Sequence, residues 1–207
     1  MQTAGMRNHF DTRRPVYIVK PLISGLVFIL FALLLSGCAS KDKEEGPAHE
    51  DVSAEATMEV SSESLISGRW SDTISNLPDG ENLSPQISFS PVPDAESYCI
   101  YMLDESAGQW EHWISYHLTE TEYAEGEETD TDTYSYIGPY PPKGSGEHIY
   151  TVYVFALKAD PDGGYPSEFD APFITADELR EKHLDISCGK PGNVLGYGTV
   201  SGTFSND

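Results

Sequence analysis

Between residues 64 and 204 the apolar positions come in short runs, separated by clusters of Gly, Pro and Asp. That is the pattern of strands joined by turns. Six runs are predicted as strands: 65–70, 86–90, 97–103, 112–118, 148–157 and 196–204. They are rich in Tyr, Val, Ile, Phe and Thr, which fit a pleated, half-buried surface. Pro78-Asp79-Gly80, Pro91-Val92-Pro93-Asp94 and Pro161-Asp162-Gly163-Gly164 supply the turns between them. One helix is predicted over 176–184, with Thr175 as N-cap and acids ahead of bases along the run. Many strands and one helix argue for a mainly β fold, an antiparallel β-sandwich with one or two short peripheral helices, and against alternating βαβ units.

The first 37 residues follow another pattern. Arg7, Arg13, Arg14 and Lys20 precede a mainly apolar stretch of about 14 residues, the layout of a secretory signal and short for a spanning helix. It closes on Leu35-Ser36-Gly37-Cys38, which resembles the bacterial lipobox, whose cysteine is lipidated and becomes the mature N-terminus. Acyl chains on Cys38 would anchor the protein in a membrane leaflet. Residues 1–37 are therefore read as a lipoprotein signal peptide, and the protein as membrane-anchored in the cell envelope, facing outside the cytoplasm. Residues 38–63 lack hydrophobic periodicity and are predicted as an acidic disordered tether, leaving 64–207 as the folded domain.

Charge narrows the partners. Twelve Lys and Arg stand against 34 Asp and Glu, a formal −22. Removing the four basic residues and the one acid of the signal leaves eight against 33, or −25. Such a polyanion repels phosphate backbones, so nucleic acid is excluded and the folded domain is not expected to settle on an anionic membrane.

Catalytic signatures are missing. The chain has no Gly-rich phosphate loop, no Gly-x-Ser-x-Gly elbow and no His-Glu-x-x-His, and no Ser or Cys has an obvious claim as nucleophile. No catalytic residue, metal or cofactor is assigned. Cys99 and Cys188 are too few for a multi-cysteine zinc site; they could form a disulfide in an exported protein, or Cys99 could stay a buried thiol. The acidic stretch 125–132 is read as a solvated loop rather than a calcium site, since the strict loop spacing is missing. His117 is left as a structural residue, and His183 is read as a solvent-facing residue near the C-terminal end of the helix dipole.

Two stretches stand out, Asn82-Leu83-Ser84-Pro85 and Tyr136-Ile137-Gly138-Pro139-Tyr140-Pro141-Pro142-Lys143-Gly144. Between them lie Asp104 and His112-Trp113, and after them His148-Ile149-Tyr150 opens an apolar strand ending Ala156-Leu157. This order resembles the phosphatidylethanolamine-binding protein family, in its bacterial Raf kinase inhibitor-like branch. The family pattern runs Asn-x-Ser-Pro, Asp-Pro-Asp, His-Trp, Gly-Pro-x-Pro-Pro-x-Gly and His-Arg-Tyr, and the likeness spans about 68–204. It implies a β-sandwich with a small pocket at one end for an anion or phosphorylated head group. Asp104, His112, His148 and Tyr150 would line it, with Gly138, Pro139 and Pro141 as its rim.

The residues themselves agree. His148 and Tyr150 are two apart in a strand and share a face. Imidazole and phenol can donate to phosphate or carboxylate oxygens, and a nearby carboxylate fixes the imidazole tautomer and favours imidazolium. Backbone N–H groups of the Gly138-Pro139 turn could add donors. One of Trp110 and Trp113 is expected in the core, the other as a pocket wall. Asp104-Glu105-Ser106-Ala107-Gly108 lacks the prolines that stiffen the family's rim, and Ile149 replaces an Arg. The implied function is a membrane-tethered extracytoplasmic binding protein for a small anion or phospholipid head group. Alternatives are a protease-inhibitory or other protein-binding surface, and a hydrolase in which His112 or His148 is general base, oriented by Asp104.

Overall fold

A computed structural model describes residues 56–127, 136–167 and 175–207. The predicted signal, Cys38, most of the predicted tether and part of the acidic stretch lie outside the described residues. Ten strands form among those described. They are β1 (Ala56–Thr57), β2 (Val60–Ser61), β3 (Leu65–Ile66), β4 (Arg69–Trp70), β5 (Ile87–Phe89), β6 (Ser97–Asp104), β7 (Trp110–Leu118), β8 (Glu122–Tyr123), β9 (His148–Leu157) and β10 (Val194–Phe204).

Alternation along the long strands shows why the central sheet is buried on both sides. On β6, Tyr98, Ile100 and Met102 pack in one cluster with Val152 and Val154 of β9, while Cys99 and Tyr101 join Phe155 and Leu157 in a second. Successive side chains point to opposite faces, so a nearly continuous apolar run means two covered faces. The first cluster is closed by Trp70, Ile87, Phe89 and Tyr136; the second by Leu179 and Leu184 beyond the strands.

The larger sheet runs β3-β4-β10-β9-β6-β7, with β1 also on β10, and a second sheet runs β2-β5-β8. The long strands are antiparallel, but β1 and β4 both pair parallel with β10, so the expected all-antiparallel sandwich is corrected to a mixed sheet beside a small antiparallel one. The fold is mainly β, as the turn spacing predicts. The run 65–70 is not one strand but the β3–β4 hairpin, turned at Ser67-Gly68. Strands also lie before residue 64: β1 and β2 pair into the two sheets, and Met58 between them in the chain is buried. Low hydrophobicity hid these two-residue strands, whose hydrogen bonds come from the edges of sheets already formed.

Thr175 caps its helix as expected, its Oγ1 accepting from the Glu178 N–H at 3.2 Å. Only α1 (Ala176–Glu178) is α-helical; Leu179–Leu184 is a π-helical turn, closed by Asp185 N–H on the Arg180 carbonyl at 2.9 Å. The wider turn brings Leu179 and Leu184, five residues apart, onto the same apolar cluster, which an α-helical turn would not. Cys99 is a free, fully buried thiol whose pKa burial pushes up, so it does not bridge to Cys188.

Candidate functional site

The site forms where the long strands end. Asp104, the last residue of β6, stands opposite Tyr150 of β9 on one side and Trp110 of β7 on the other. Parity from Met102 and Val152 turns Asp104 and Tyr150 to the inner face, and His148 follows two residues from Tyr150. His112 needs a special device. The β6–β7 register steps from Met102–Trp113 to Leu103–Glu111, leaving His112 as the extra residue of a β-bulge. Strict alternation would separate His112 from Trp113; the bulge lets Trp113 enter the core while His112 turns to the cavity. Trp110 is the wall, so the two tryptophans divide as expected.

A cavity of about 150 Å³ is lined by Asp104, Ala107, Trp110, His112, Tyr140, Pro141, Pro142, His148 and Tyr150. All four predicted polar residues meet there. Pro141 is at the rim as expected, but Gly138 and Pro139 are not, and that expectation is corrected. Gly138 is buried behind the wall, where a Cβ would overlap the Ile74 carbonyl oxygen. Its N–H donates to Asn82 Oδ1 at 2.8 Å, and the Pro139 carbonyl accepts from Asn76 N–H at 3.1 Å. These groups anchor the loop and offer nothing to a ligand. The Asn82 motif thus acts by holding the loop: its Nδ2 also donates to the Tyr136 carbonyl at 3.2 Å.

That loop fixes His112. Ile137 N–H donates to the His112 carbonyl at 2.9 Å, and His112 Nδ1 donates to the Ile137 carbonyl at 2.6 Å. Only 4% of His112 is exposed, and burial holds its pKa down at about 4, outweighing the nearby Asp104 charge. The expected imidazolium is corrected here: His112 is neutral, its Nδ1–H committed to the backbone and Nε2 left as an acceptor. Trp110, Tyr140 and Tyr150 surround the ring edge-to-face, with centroids at 4.4, 5.8 and 5.0 Å.

His148 is held by side chains instead. Its Nδ1 lies 2.7 Å from Asp104 Oδ2, and its Nε2 lies 3.1 Å from Ser145 Oγ. The Asp104 side chain is 4% exposed and that of His148 14%. Asp104 Oδ1 accepts from the N–H groups of Ser106 and Ala107, at 2.8 and 3.0 Å, capping a 3₁₀ turn over Glu105–Ala107. The turn that lost its prolines is therefore stiffened by hydrogen bonds. Burial, and then the charge and hydrogen bond of Asp104, push the Tyr150 phenol well above its usual range, so it stays protonated. Ile149 alternates outward as parity predicts and is 44% exposed, its N–H donating to Ser106 Oγ at 2.9 Å.

Other candidates fall elsewhere. His117 sits at a second β7 irregularity with φ 61° and meets Asp160 at 2.9 Å, away from the cavity. Among the described residues no group of three or more His, Cys, Asp or Glu could hold a metal ion. Sequence reasoning missed Tyr140, Pro142 and Ala107 as lining residues and Ser145 as a partner of His148. The Gly144-Ser145-Gly146 turn three residues before His148 was the available signal for Ser145.

Residues 57–205 match the family described as phosphatidylethanolamine-binding protein. The chain belongs to this family. A protein named UPF0098 protein from Aquifex aeolicus is 26% identical over 169 residues, covering 73% of this chain and 91% of that one. A crystal structure of a phosphatidylethanolamine-binding protein homologue from Chlamydia trachomatis is similar at a TM-score of 0.52 and 26% identity, over 73% of this chain and 99% of that one. Escherichia coli YbcL, described as a member of the mammalian family, shares the fold at a TM-score of 0.54 and 19% identity, over 73% of this chain and all of its own.

Proposed function

We propose that this family member is a binding protein of the Raf kinase inhibitor-like branch, lipid-anchored through Cys38 outside the cytoplasm, whose cavity holds a small anion or phosphorylated head group. The observation that carries the reading is the convergence of Asp104, His112, His148 and Tyr150 on one cavity of about 150 Å³. That volume suits a head group and is well below the range that encloses drug-sized ligands. Among the described residues no Lys or Arg lines it, so a bound anion is met by hydrogen-bonding groups, the His148 ring and the Tyr150 hydroxyl, rather than by a fixed cation. Neutral His112 offers an acceptor, which matches a ligand bringing its own O–H or N–H, such as a phosphate monoanion or phosphoethanolamine.

The test is an NMR titration with phosphate, phosphoethanolamine and acetate at about pH 6, following the imidazole signals. Saturable shifts at His112 and His148, lost in His148→Ala, are expected. Unmoved signals with all three ligands would sink the anion pocket. For the anchor, Cys38→Ala should move the protein out of the membrane fraction, and its retention there would remove lipidation from the reading.

A further inference from the structure

The contacts of His148 form a continuous chain. Asp104 Oδ2 is 2.7 Å from Nδ1, and Ser145 Oγ is 3.1 Å from Nε2. With Nδ1–H donated to the buried carboxylate, Nε2 is the lone-pair nitrogen and accepts the Ser145 hydroxyl proton. Burial grades outward along this chain, from a covered Asp104 through a partly covered His148 to an exposed Ser145. A nucleophile hydrogen-bonded to a base that is itself oriented by a third group is the geometry of an activated serine. We infer that Ser145 is a nucleophile and that the site transfers short acyl groups from esters to water, an activity beyond ligand binding.

The local backbone suits that role. Gly144 and Gly146 have φ of 76° and 89°, and no atom lies within 4 Å of where a Cβ would stand, so glycine serves conformation there rather than space. The turn is tied down by Gly144 N–H on the Asn206 carbonyl and Ser145 N–H on the Pro142 carbonyl, both at 3.0 Å. Ser145 is thus presented on an anchored turn. The N–H groups of Gly146 and Glu147, which follow Ser145 directly in the chain, would be the backbone donors nearest to an oxyanion formed there. The small cavity beside His148, walled by Trp110, Tyr140, Pro141 and Pro142, would take a short acyl chain.

The reaction balances with the ester and water alone. Ser145 Oγ bonds to the acyl carbon as its proton passes to His148 Nε2. The C–O bond to the leaving alcohol then breaks, and His148 returns the proton to that oxygen, leaving acyl-Ser145. Water adds to the acyl carbon, again giving a proton to His148. The Ser145 ester bond breaks, Oγ recovers the proton, and a carboxylic acid is released. Asp104 acts as a positioning residue, holding the tautomer and facing the transient imidazolium.

The test uses the full chain in mild detergent with p-nitrophenyl acetate and, separately, a fluorophosphonate probe, read by nitrophenolate release and by peptide mass mapping. Acyl and phosphonyl adducts are expected on Ser145 alone, absent in Ser145→Ala. Labelling and turnover should fall about 100-fold or more in His148→Gln, which keeps a donor to Asp104 but removes the base. Ser145 is exposed, so Ser145→Ala tests chemistry in a folded protein, and Ser145→Cys should restore acylation on sulfur. Adducts spread over other residues, equal turnover in Ser145→Ala, or no adduct with either reagent would each overturn the inference. Anion shifts that persist in Ser145→Ala while labelling is lost would separate this activity from binding.

Discussion

At one wall of the cavity His112 is buried and donates its proton to a backbone carbonyl; at the other, His148 is partly exposed and lies between two side chains. The same residue type is thereby given different chemistry. A backbone carbonyl in a dry surrounding holds His112 neutral and fixed, so it is part of the structure as much as of the pocket. At His148 a carboxylate and a hydroxyl hold the two ring nitrogens from opposite sides. Burial and the backbone lock one ring, and a line of polar side chains at the mouth holds the other.

The comparison is broken most severely from behind the His112 wall. Gly138→Ala would drive a methyl group into the Ile74 carbonyl oxygen and displace the loop that clamps His112. A loss of about 4 kcal/mol in urea unfolding is expected, and wild-type stability would contradict the clamp.

Next in size is a pH effect that belongs to His112. Its folded pKa of about 4 lies below the ordinary value of 6.5, so between these the unfolded chain binds more protons. The stabilisation is complete above about pH 6.5 and is lost as pH falls, fully so below about 4, amounting to about 3 kcal/mol. His112→Asn keeps a donor for the Ile137 carbonyl but does not titrate. The stability gap between wild type and variant should therefore shift against the wild type from pH 7 to pH 4, by about that amount. A pH-independent gap would place the burial effect elsewhere.

The smallest change sharpens the His148 side. Ser106→Ala removes the acceptor of the Ile149 N–H at the edge of the turn that Asp104 caps. About 1 kcal/mol is expected, without loss of the His148 signals in an anion titration. A larger loss with altered His148 signals would show that this turn, and not the Asp104 cap alone, sets the ring.

Much of the site was legible before any coordinates. His148 and Tyr150 share a face because alternation in a strand is local, and Asp104 was readable from motif order. The resemblance in that order also identified a family that residues 57–205 match. The rim was misread because Gly138 and Pro139 look like a turn open to ligand, whereas their packing partners, Ile74 and Asn76, come from a loop some sixty residues earlier in the chain. His112 needed a bulge, a register property of two strands that neither strand states alone. Ser145 escaped because a serine in a Gly-rich turn is common, and only its 3.1 Å approach to Nε2 sets it apart.

Local pattern by itself determined the long strands, the capped helix start, the shared face of His148 and Tyr150 and the acidity of the chain, since each depends on neighbours a few residues apart or on composition. The tertiary structure decided the parallel pairing of β1 and β4, the neutrality of His112, the free thiol of Cys99 and the line from Asp104 to Ser145. Those depend on burial and on distances between segments remote in sequence, and burial is created only when the chain closes around them.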